Sequence, residues 1–234
     1  MLYLIRHAQA SYLSANYDQL SNLGMQQAKA LGDFLSSEIS IHQKYVGPHK
    51  RQKQTAERIR EAYKLINQDI PLPTYIQQLK EHSGPATLHY HKPKLIKEHP
   101  LCIQWHNQAL EHPEKLRENS IKIFEHFIPQ WMAGEYAVAG LEDFVTFRSE
   151  IAQGMDKILK LKEPSQNTIL ITSAGSISAI MANLLRIDDI GRIAQLSFEV
   201  YNASVTSLQL YGDEWKIAKF NQVDHLTEDM KTVV

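Results

Sequence analysis

The N-terminal apolar run 1–5, followed directly by Arg6 and His7, constrains the fold of this chain more than any other stretch. An uninterrupted apolar run of this kind is typical of a fully buried strand in the middle of an α/β sheet. Ligands of open α/β sheets bind at the carboxyl ends of such strands, where Arg6 and His7 fall. The pair is therefore a candidate anion site with a nucleophile. Taken alone, the pair is better explained as two solvated polar residues at the end of a strand than as an anion site.

Length and charge limit the classes of protein to which this sequence can belong. A chain of 234 residues suits a single domain over 1–234, or a core with an insertion, and can bury a sizeable core. The formal net charge of −1 gives no overall field that would favour nucleic acid or an anionic membrane. We therefore expect neither as a partner.

Cysteine content and hydropathy indicate the compartment. Cys102 is the one cysteine, which excludes an internal disulfide framework and fits a reducing environment. No apolar stretch approaches the roughly 20 residues of a membrane-spanning helix. Arg6 and His7 interrupt the first apolar run too early for a signal peptide. These features predict a soluble, cytoplasmic protein, and they leave its oligomeric state undetermined.

Two further segments have features of anion sites. The basic segment 49–53 opens a predicted helix, where cations oppose the helix macrodipole unless an anion lies there. A second buried strand, predicted over 168–172, runs into a turn with Gly175 and a small-residue helix over 177–185. Strand, glycine-bearing turn and helix are typical of phosphate binding, in which amides at the helix start face the ligand.

The composition changes between residue 82 and about residue 131, where seven of the eleven histidines lie. Helical periodicity is poor there until Pro113, a predicted first helical residue. Pro129 is expected to end or kink the helix that follows. Another long helix is predicted from about 141 to 158.

The order of the predicted elements indicates the fold class. The order β-α-β-α, with a further candidate strand over 74–79, precedes the histidine-rich stretch, and β-α-β-β follows it. The last two strands, 204–211 and 215–220, form a predicted hairpin. This order predicts an α/β fold with a central, mostly parallel sheet, helices on both faces and a helical lid inserted over 82–140.

Four separated motifs resemble those of the histidine phosphatase superfamily, the fold shared by phosphoglycerate mutases and many phosphomonoesterases. They are Arg6-His7-Ala8, 20–28, 47–57, and 202–206 together with 225–226. The first resembles the Arg-His-Gly motif, with alanine in place of glycine, and the third resembles the block with the second arginine. Their order and spacing over nearly the whole chain argue against chance agreement. The resemblance weakens between 82 and about 140.

The resemblance implies a role for each residue at a matching position. His7 would attack phosphorus and form a phosphohistidine intermediate, while its other ring nitrogen donates to a fixed acceptor. Arg6 and Arg51 would hold the phosphoryl oxygens, for which planar guanidinium groups suit better than an ammonium group. Glu81 matches the Leu-x-Glu block and would protonate the leaving alkoxide.

Ala174 departs from the family pattern, because the turn 172–175 usually reads Ser-His-Gly in the family. The missing histidine donates to the transferring phosphoryl group, and losing one such donor typically costs on the order of 10²–10³ in rate. An engineered substitution, a natural branch with a small residue, and a phosphate-binding relic are the open explanations. Ala8 favours the natural branch. Ala174 and Gly175 would still contribute to phosphate binding.

Three functions are compatible with these residues. The leading one is a cofactor-independent phosphomonoesterase that acts through His7 on a small phosphorylated substrate. The alternatives are a non-catalytic protein that binds phosphate or phosphoproteins, and phosphotransfer of the phosphoglycerate mutase type. Ala174 motivates the non-catalytic alternative.

The remaining histidines give weaker indications. His49, His82 and His225 lie next to motifs and could replace the missing histidine, although a surface or packing role fits each of them better. Within the predicted lid, His89 and His91 would lie on one side of a strand. No cysteine pair or compact carboxylate set completes a ligand group, so no metal site is predicted.

Overall fold

The computed structural model describes residues 1–11, 18–163 and 165–233. Its strands are β1 (Leu2–Arg6), β2 (Gln43–Val46), β3 (Thr74–Tyr75), β4 (Thr168–Thr172), β5 (Val205–Tyr211) and β6 (Glu214–Gln222). Its α-helices are α1 (Asn22–Glu38), α2 (Lys50–Leu65), α3 (Gly84–Glu98), α4 (Pro100–Glu111), α5 (Leu116–Met132), α6 (Phe144–Lys160), α7 (Ala174–Leu185) and α8 (Ile190–Glu199). None of the helices in these ranges combines the length and the hydropathy that a bilayer crossing requires.

One sheet contains all of these strands in the order β3-β2-β4-β1-β5-β6. The four strands from β3 to β1 are parallel, whereas β5 pairs antiparallel with β1 and returns as β6 through the predicted hairpin. β1 lies between β4 and β5, with Leu4 opposite Leu170. The predicted fold class, α/β with a central and mostly parallel sheet, is confirmed.

Apolar packing on both faces of the sheet explains why the run 1–5 does not alternate with polar residues. Leu4 packs on one face in a cluster that includes Phe147 of α6. Ile5, the next residue, packs on the opposite face with Leu31 of α1. All four side chains are fully buried. A strand covered by helices on both faces needs apolar side chains at every position.

The histidine-rich segment is more helical than its sequence indicates. It forms α3 and α4 ahead of Pro113, which lies in a short 3₁₀ helix before α5. Pro129 lies inside α5, so the helix does not end at this residue, and the alternative of a kink stays a prediction. A proline in the last turn removes a single backbone hydrogen bond. The candidate strand over 74–79 is confined to β3, and Gln77–Leu79 is a 3₁₀ helix. The assignment of 82–140 to a lid inserted in a single domain stays a prediction.

Gly32 sets how closely α1 approaches α2. A Cβ at this position would lie 2.9 Å from the Ala62 Cβ and 3.0 Å from the Arg58 carbonyl oxygen. Because neither atom can rotate away, Gly32→Ala should force the helices apart. We expect the free energy of unfolding to fall by about 1–3 kcal/mol, as overpacking typically causes. Urea unfolding followed by circular dichroism measures this change.

Gly191→Ala in α8 is the matched control, since the atom nearest to its Cβ is Asp189 Oδ1 at 3.4 Å. This substitution should leave stability unchanged or raise it, because alanine favours a helix over glycine. Equal stabilities of wild type and Gly32→Ala would contradict the proposed role of the contact.

Candidate active site

The backbone of His7, which directly follows β1, forms hydrogen bonds to the chain segments on both sides of that strand. Its N–H donates to the Thr172 carbonyl at the end of β4 over 2.9 Å. Its carbonyl accepts from the Ala203 amide and from the Asn202 side chain, each 3.3 Å away. Only 5% of the residue is exposed. The neighbouring strand ends therefore hold His7 in place.

The His7 ring has a defined tautomer and is neutral. Nδ1 lies 2.8 Å from the Ala8 carbonyl oxygen, which can only accept, so Nδ1 has the proton. Arg51 Nε donates to Nε2 over 3.0 Å, which requires a lone pair on that nitrogen. Burial, followed by the charges of Arg51 and Arg6, holds the pKa of His7 well below its usual value of 6.5.

Asp18 supplies negative charge at the basic start of α2. Its carboxylate accepts from Arg51 Nη1 at 2.8 Å and from the Lys50 amide at 2.9 Å. Burial raises the pKa of Asp18, but the Lys50 amide and the Arg51 charge together outweigh it, and the net shift is downward. The anion that this helix start requires thus comes partly from the protein itself. Asp18 was missed in the sequence, where it is one more polar residue before the Ser21 N-cap.

Glu81 follows a stretch of backbone that is bonded to several elements. The Leu79 carbonyl accepts from the Thr172 hydroxyl at 2.7 Å and from Gln52 Nε2 at 3.2 Å. The Glu81 amide itself donates to His49 Nε2 over 3.1 Å. These bonds connect Glu81 to the end of β4 and to the start of α2.

The side chains of Glu81 and His82 pack directly on Gly175 near the start of α7. A Cβ on Gly175 would lie 2.5 Å from Glu81 Oε1 and 2.1 Å from His82 Cδ2. This close approach requires glycine. Ala174, which stands where the family has its second histidine, is the first residue of α7. A different imidazole, that of His82, thus lies beside the same helix start.

The His82 ring is also held in one orientation. Its Nδ1 accepts from the Gly84 amide at 3.1 Å, which leaves the proton on Nε2, 3.5 Å from Glu81 Oε1. The ring packs against Trp131 and Phe147, with centroid separations of 4.9 and 5.6 Å. Burial lowers the pKa of His82 despite the nearby carboxylates. The neutral ring therefore presents an N–H group to Glu81.

A cavity of about 720 Å³ connects these groups. The predicted site residues that line it are Arg6, Arg51, Glu81, Ala174 and Gly175. His7 is almost fully buried and meets the cavity through its contact with Arg51. The predicted residues therefore come together at the carboxyl edge of the sheet.

The outer wall of the cavity is largely apolar. It is formed by Leu88 of α3, Ile121 and Phe124 of α5, and Phe198 of α8. The Phe124 and Phe198 rings contact each other with centroids 5.9 Å apart. Lys92 of α3 adds a positive charge to this wall.

Other histidines fall in different places. His49 lines the cavity with His82, whereas His225 stacks on Phe34 and contacts the Ala203 carbonyl through Nε2 at 3.0 Å. His89 and His91 lie on α3, so the expected strand arrangement is wrong, and helix residues two apart do not face each other.

The sequence model of the histidine phosphatase superfamily (branch 1) matches residues 2–118 and 104–223 of this chain. The two matches together span most of the chain and confirm the resemblance seen in the motifs around His7 and Arg51. No curated protein matches the sequence significantly.

Solved structures share this fold over nearly their full length. YhfR of Bacillus stearothermophilus has a TM-score of 0.66 at 20% identity, covering 96% of this chain and 98% of its own. A mycobacterial glucosyl-3-phosphoglycerate phosphatase with inorganic phosphate gives 0.64 at 19% identity, with coverages of 97% and 99%. A mutant phosphoserine phosphatase from Entamoeba histolytica with phosphoserine gives 0.64 at 16%, with coverages of 97% and 98%. At these identities the likeness shows a common fold.

The low pKa of His7 can be measured by titrating histidine ring signals in the nuclear magnetic resonance spectrum. The His7 ring should become protonated only below pH 6.5, the usual histidine value. Arg51→Gln removes one of the charges that disfavour protonation, so the pKa of His7 should rise in this variant.

Arg58→Gln, which removes a surface arginine paired with Glu61, should leave the His7 titration unchanged. A His7 ring that titrates at or above pH 6.5 in the wild type would contradict the assigned neutral state.

Proposed function

The chain belongs to the histidine phosphatase superfamily, and on that basis we propose that it is a phosphomonoesterase with a phosphohistidine intermediate on His7. The observation that carries the proposal is the neutral His7 ring, whose Nε2 lone pair accepts from Arg51 Nε. An attacking imidazole must be unprotonated, and a phosphate site must be positively charged. This single contact meets both requirements.

The proposed reaction has two steps. In the first, His7 Nε2 forms a bond to phosphorus while the bond from phosphorus to the ester oxygen breaks, and Glu81 in its acid form protonates the leaving oxygen. In the second, water attacks phosphorus, Glu81 takes the proton from that water, and the N–P bond breaks to release phosphate. Arg6 and Arg51 bind the non-bridging oxygens. No cofactor takes part.

Arg51 has to release His7 when a phosphoryl group binds. Its Nε–H occupies the lone pair that must attack, and a charged phosphoryl oxygen is a stronger acceptor than a neutral imidazole. Asp18 binds a different nitrogen of the same guanidinium, so Arg51 can exchange His7 for the substrate without losing Asp18. Substrate binding then frees the nucleophile.

We assign to His82 the positioning of Glu81. Its Nε2–H lies 3.5 Å from Glu81 Oε1, and its backbone N–H donates to the same oxygen at 3.0 Å. The ring cannot turn away, because Trp131 and the Gly84 amide hold it. His82 thus has a different role from the histidine that the family has at position 174, because its N–H faces Glu81 and not the phosphoryl group.

The cavity wall indicates the class of substrate. Phosphoserine and glucosyl-3-phosphoglycerate, named with two of the similar structures, are polar molecules. The wall of this cavity, with Leu88, Ile121, Phe124 and Phe198, instead favours a small phosphomonoester whose leaving group has an apolar part. We propose that the protein meets such substrates in the cytoplasm, where the thiol of Cys102 would stay reduced.

A protein that binds phosphate groups without turnover is the competing function, and Ala174 is the observation that favours it. Such a protein would use the same arginines and the amides at the start of α7. A mutase must also hold its product for retransfer, and we do not propose that activity.

Replacement of the nucleophile separates the enzyme from the binding protein. A radiolabelled phosphomonoester should give acid-labile label on the wild type, and His7→Ala should have none. Release of phosphate from an aryl phosphate should fall by about 10³-fold or more, because the chemical step depends on this group. His89→Ala, an exposed position on α3, is the control and should retain both signals. A wild type without label or phosphate release would establish the binding function instead.

The effect of replacing Glu81 should depend on the leaving group of the phosphate ester. Glu81→Gln should slow hydrolysis of an alkyl phosphate by about 10²–10⁴, because the alkoxide needs a proton. Hydrolysis of nitrophenyl phosphate should slow far less, since nitrophenolate leaves without one. His82→Gln should show the same selectivity to a smaller degree, in kcat rather than KM.

Glu125→Gln, a second carboxylate at the cavity, is the control and should affect both esters alike. Equal slowing of the two esters by Glu81→Gln would exclude the proton-donor role.

A further inference from the structure

Three side chains of types that can ligate a metal lie close together on the helices α3, α4 and α5, outside the active-site cavity. His99 joins α3 to α4, Cys102 lies in the first turn of α4, and His126 lies on α5. One ligand atom from each of the three residues lies within 4.8 Å of the others. This group is separate from the residues that line the active-site cavity.

The spacing of these atoms fits a tetrahedral metal ion. The two imidazole Nε2 atoms are 3.2 Å apart. With Zn–N bonds of about 2.0–2.1 Å and Zn–S bonds of about 2.3 Å, tetrahedral geometry places ligand atoms roughly 3.3–3.6 Å from one another. The histidine pair is already at this separation, and small rotations of the side chains would bring the thiol sulfur to it.

The contact between the His99 and His126 rings limits where their protons can lie. A contact of 3.2 Å between two imidazole nitrogens needs a proton or a cation between them. His126 Nε2 already lies 2.9 Å from the Gln130 amide nitrogen, which also donates to the His126 carbonyl. His99 Nδ1 is buried and has no hydrogen-bond partner in the described part of the chain, whichever nitrogen of the ring has the proton. If neither Nε2 has a proton, two lone pairs face each other, and a metal ion would accept both.

The chemistry of the three ligands selects the metal. The Cys102 thiol is fully buried and lies within reach of both imidazoles. Two imidazoles and one thiolate favour zinc or a similar thiophilic ion over magnesium or calcium.

We propose that His99, Cys102 and His126 form a zinc site with water as the fourth ligand. Binding would transfer the Cys102 thiol proton to solvent and form one Zn–S and two Zn–N bonds. The ion would connect the junction of α3 and α4 to α5, the helix that contributes Ile121 and Phe124 to the cavity wall. It would therefore stabilise that wall without contact to the substrate.

Cobalt(II) is the probe for this site, since its tetrahedral thiolate complexes absorb where the protein does not. The full chain, reduced and freed of metal by chelator, should bind one equivalent of cobalt(II). We expect visible bands of tetrahedral cobalt and a thiolate charge-transfer band in the near ultraviolet, both displaced by zinc. The melting temperature should rise with zinc, because only the folded chain brings the ligands together.

The variants identify the ligands. Cys102→Ser should lose the charge-transfer band, and His126→Gln should weaken cobalt binding at least tenfold. His112→Gln, an exposed histidine that follows α4, should bind as the wild type does. If Cys102→Ser fails to fold, the partly buried His126→Gln decides the question.

A wild type without the thiolate band would overturn the proposal. Equal binding by wild type and His126→Gln would overturn it as well. Neither readout depends on phosphatase activity, so the site can fail while the proposed function stands.

Discussion

Parallel pairing between β1 and β4 is the constraint on which the rest of the site depends. Arg6 lies opposite Thr172, and the next residue, His7, donates its N–H to the Thr172 carbonyl over 2.9 Å. Because parallel strands end at the same edge of a sheet, this register places His7 beside the turn that leads into Ala174 and Gly175. The same Thr172 donates its hydroxyl to the backbone ahead of Glu81. One strand end thus holds His7, the start of α7 and Glu81, the proposed nucleophile, phosphate-binding amides and acid, in a fixed relation.

The electrostatics of the site follow from how this edge is buried. His7 is removed from water and lies beside positive charge, and both conditions favour the neutral ring. Asp18 compensates part of that charge at Arg51, at a distance of 2.8 Å. In the proposed mechanism, this arrangement favours a bound dianion and lets His7 attack without prior deprotonation.

Local signals in the sequence allowed the sheet to be predicted, whereas the cavity wall depends on contacts between distant residues. The run 1–5 and the centre of the strand 168–172 are apolar without alternation because helices cover both faces, and this pattern is readable directly. In α3 and α4 few positions are buried, among them Leu88, Leu95 and Cys102, so their helical periodicity was too weak to recognise. The approach of His82 to Gly175 brings together residues far apart in sequence. No spacing rule indicates it.

The site contains a second imidazole although residue 174 is alanine, because His82 supplies it from another segment of the chain. In the family pattern that group projects from the start of the helix, so its position depends on the strand before it. In this chain the imidazole comes from the residue after Glu81, and both side chains pack on Gly175. The acid and the imidazole therefore depend on one short stretch of backbone, which Gln52 and Thr172 bond to the sheet edge. Because both side chains pack on the same residue, glycine at position 175 is a condition for both.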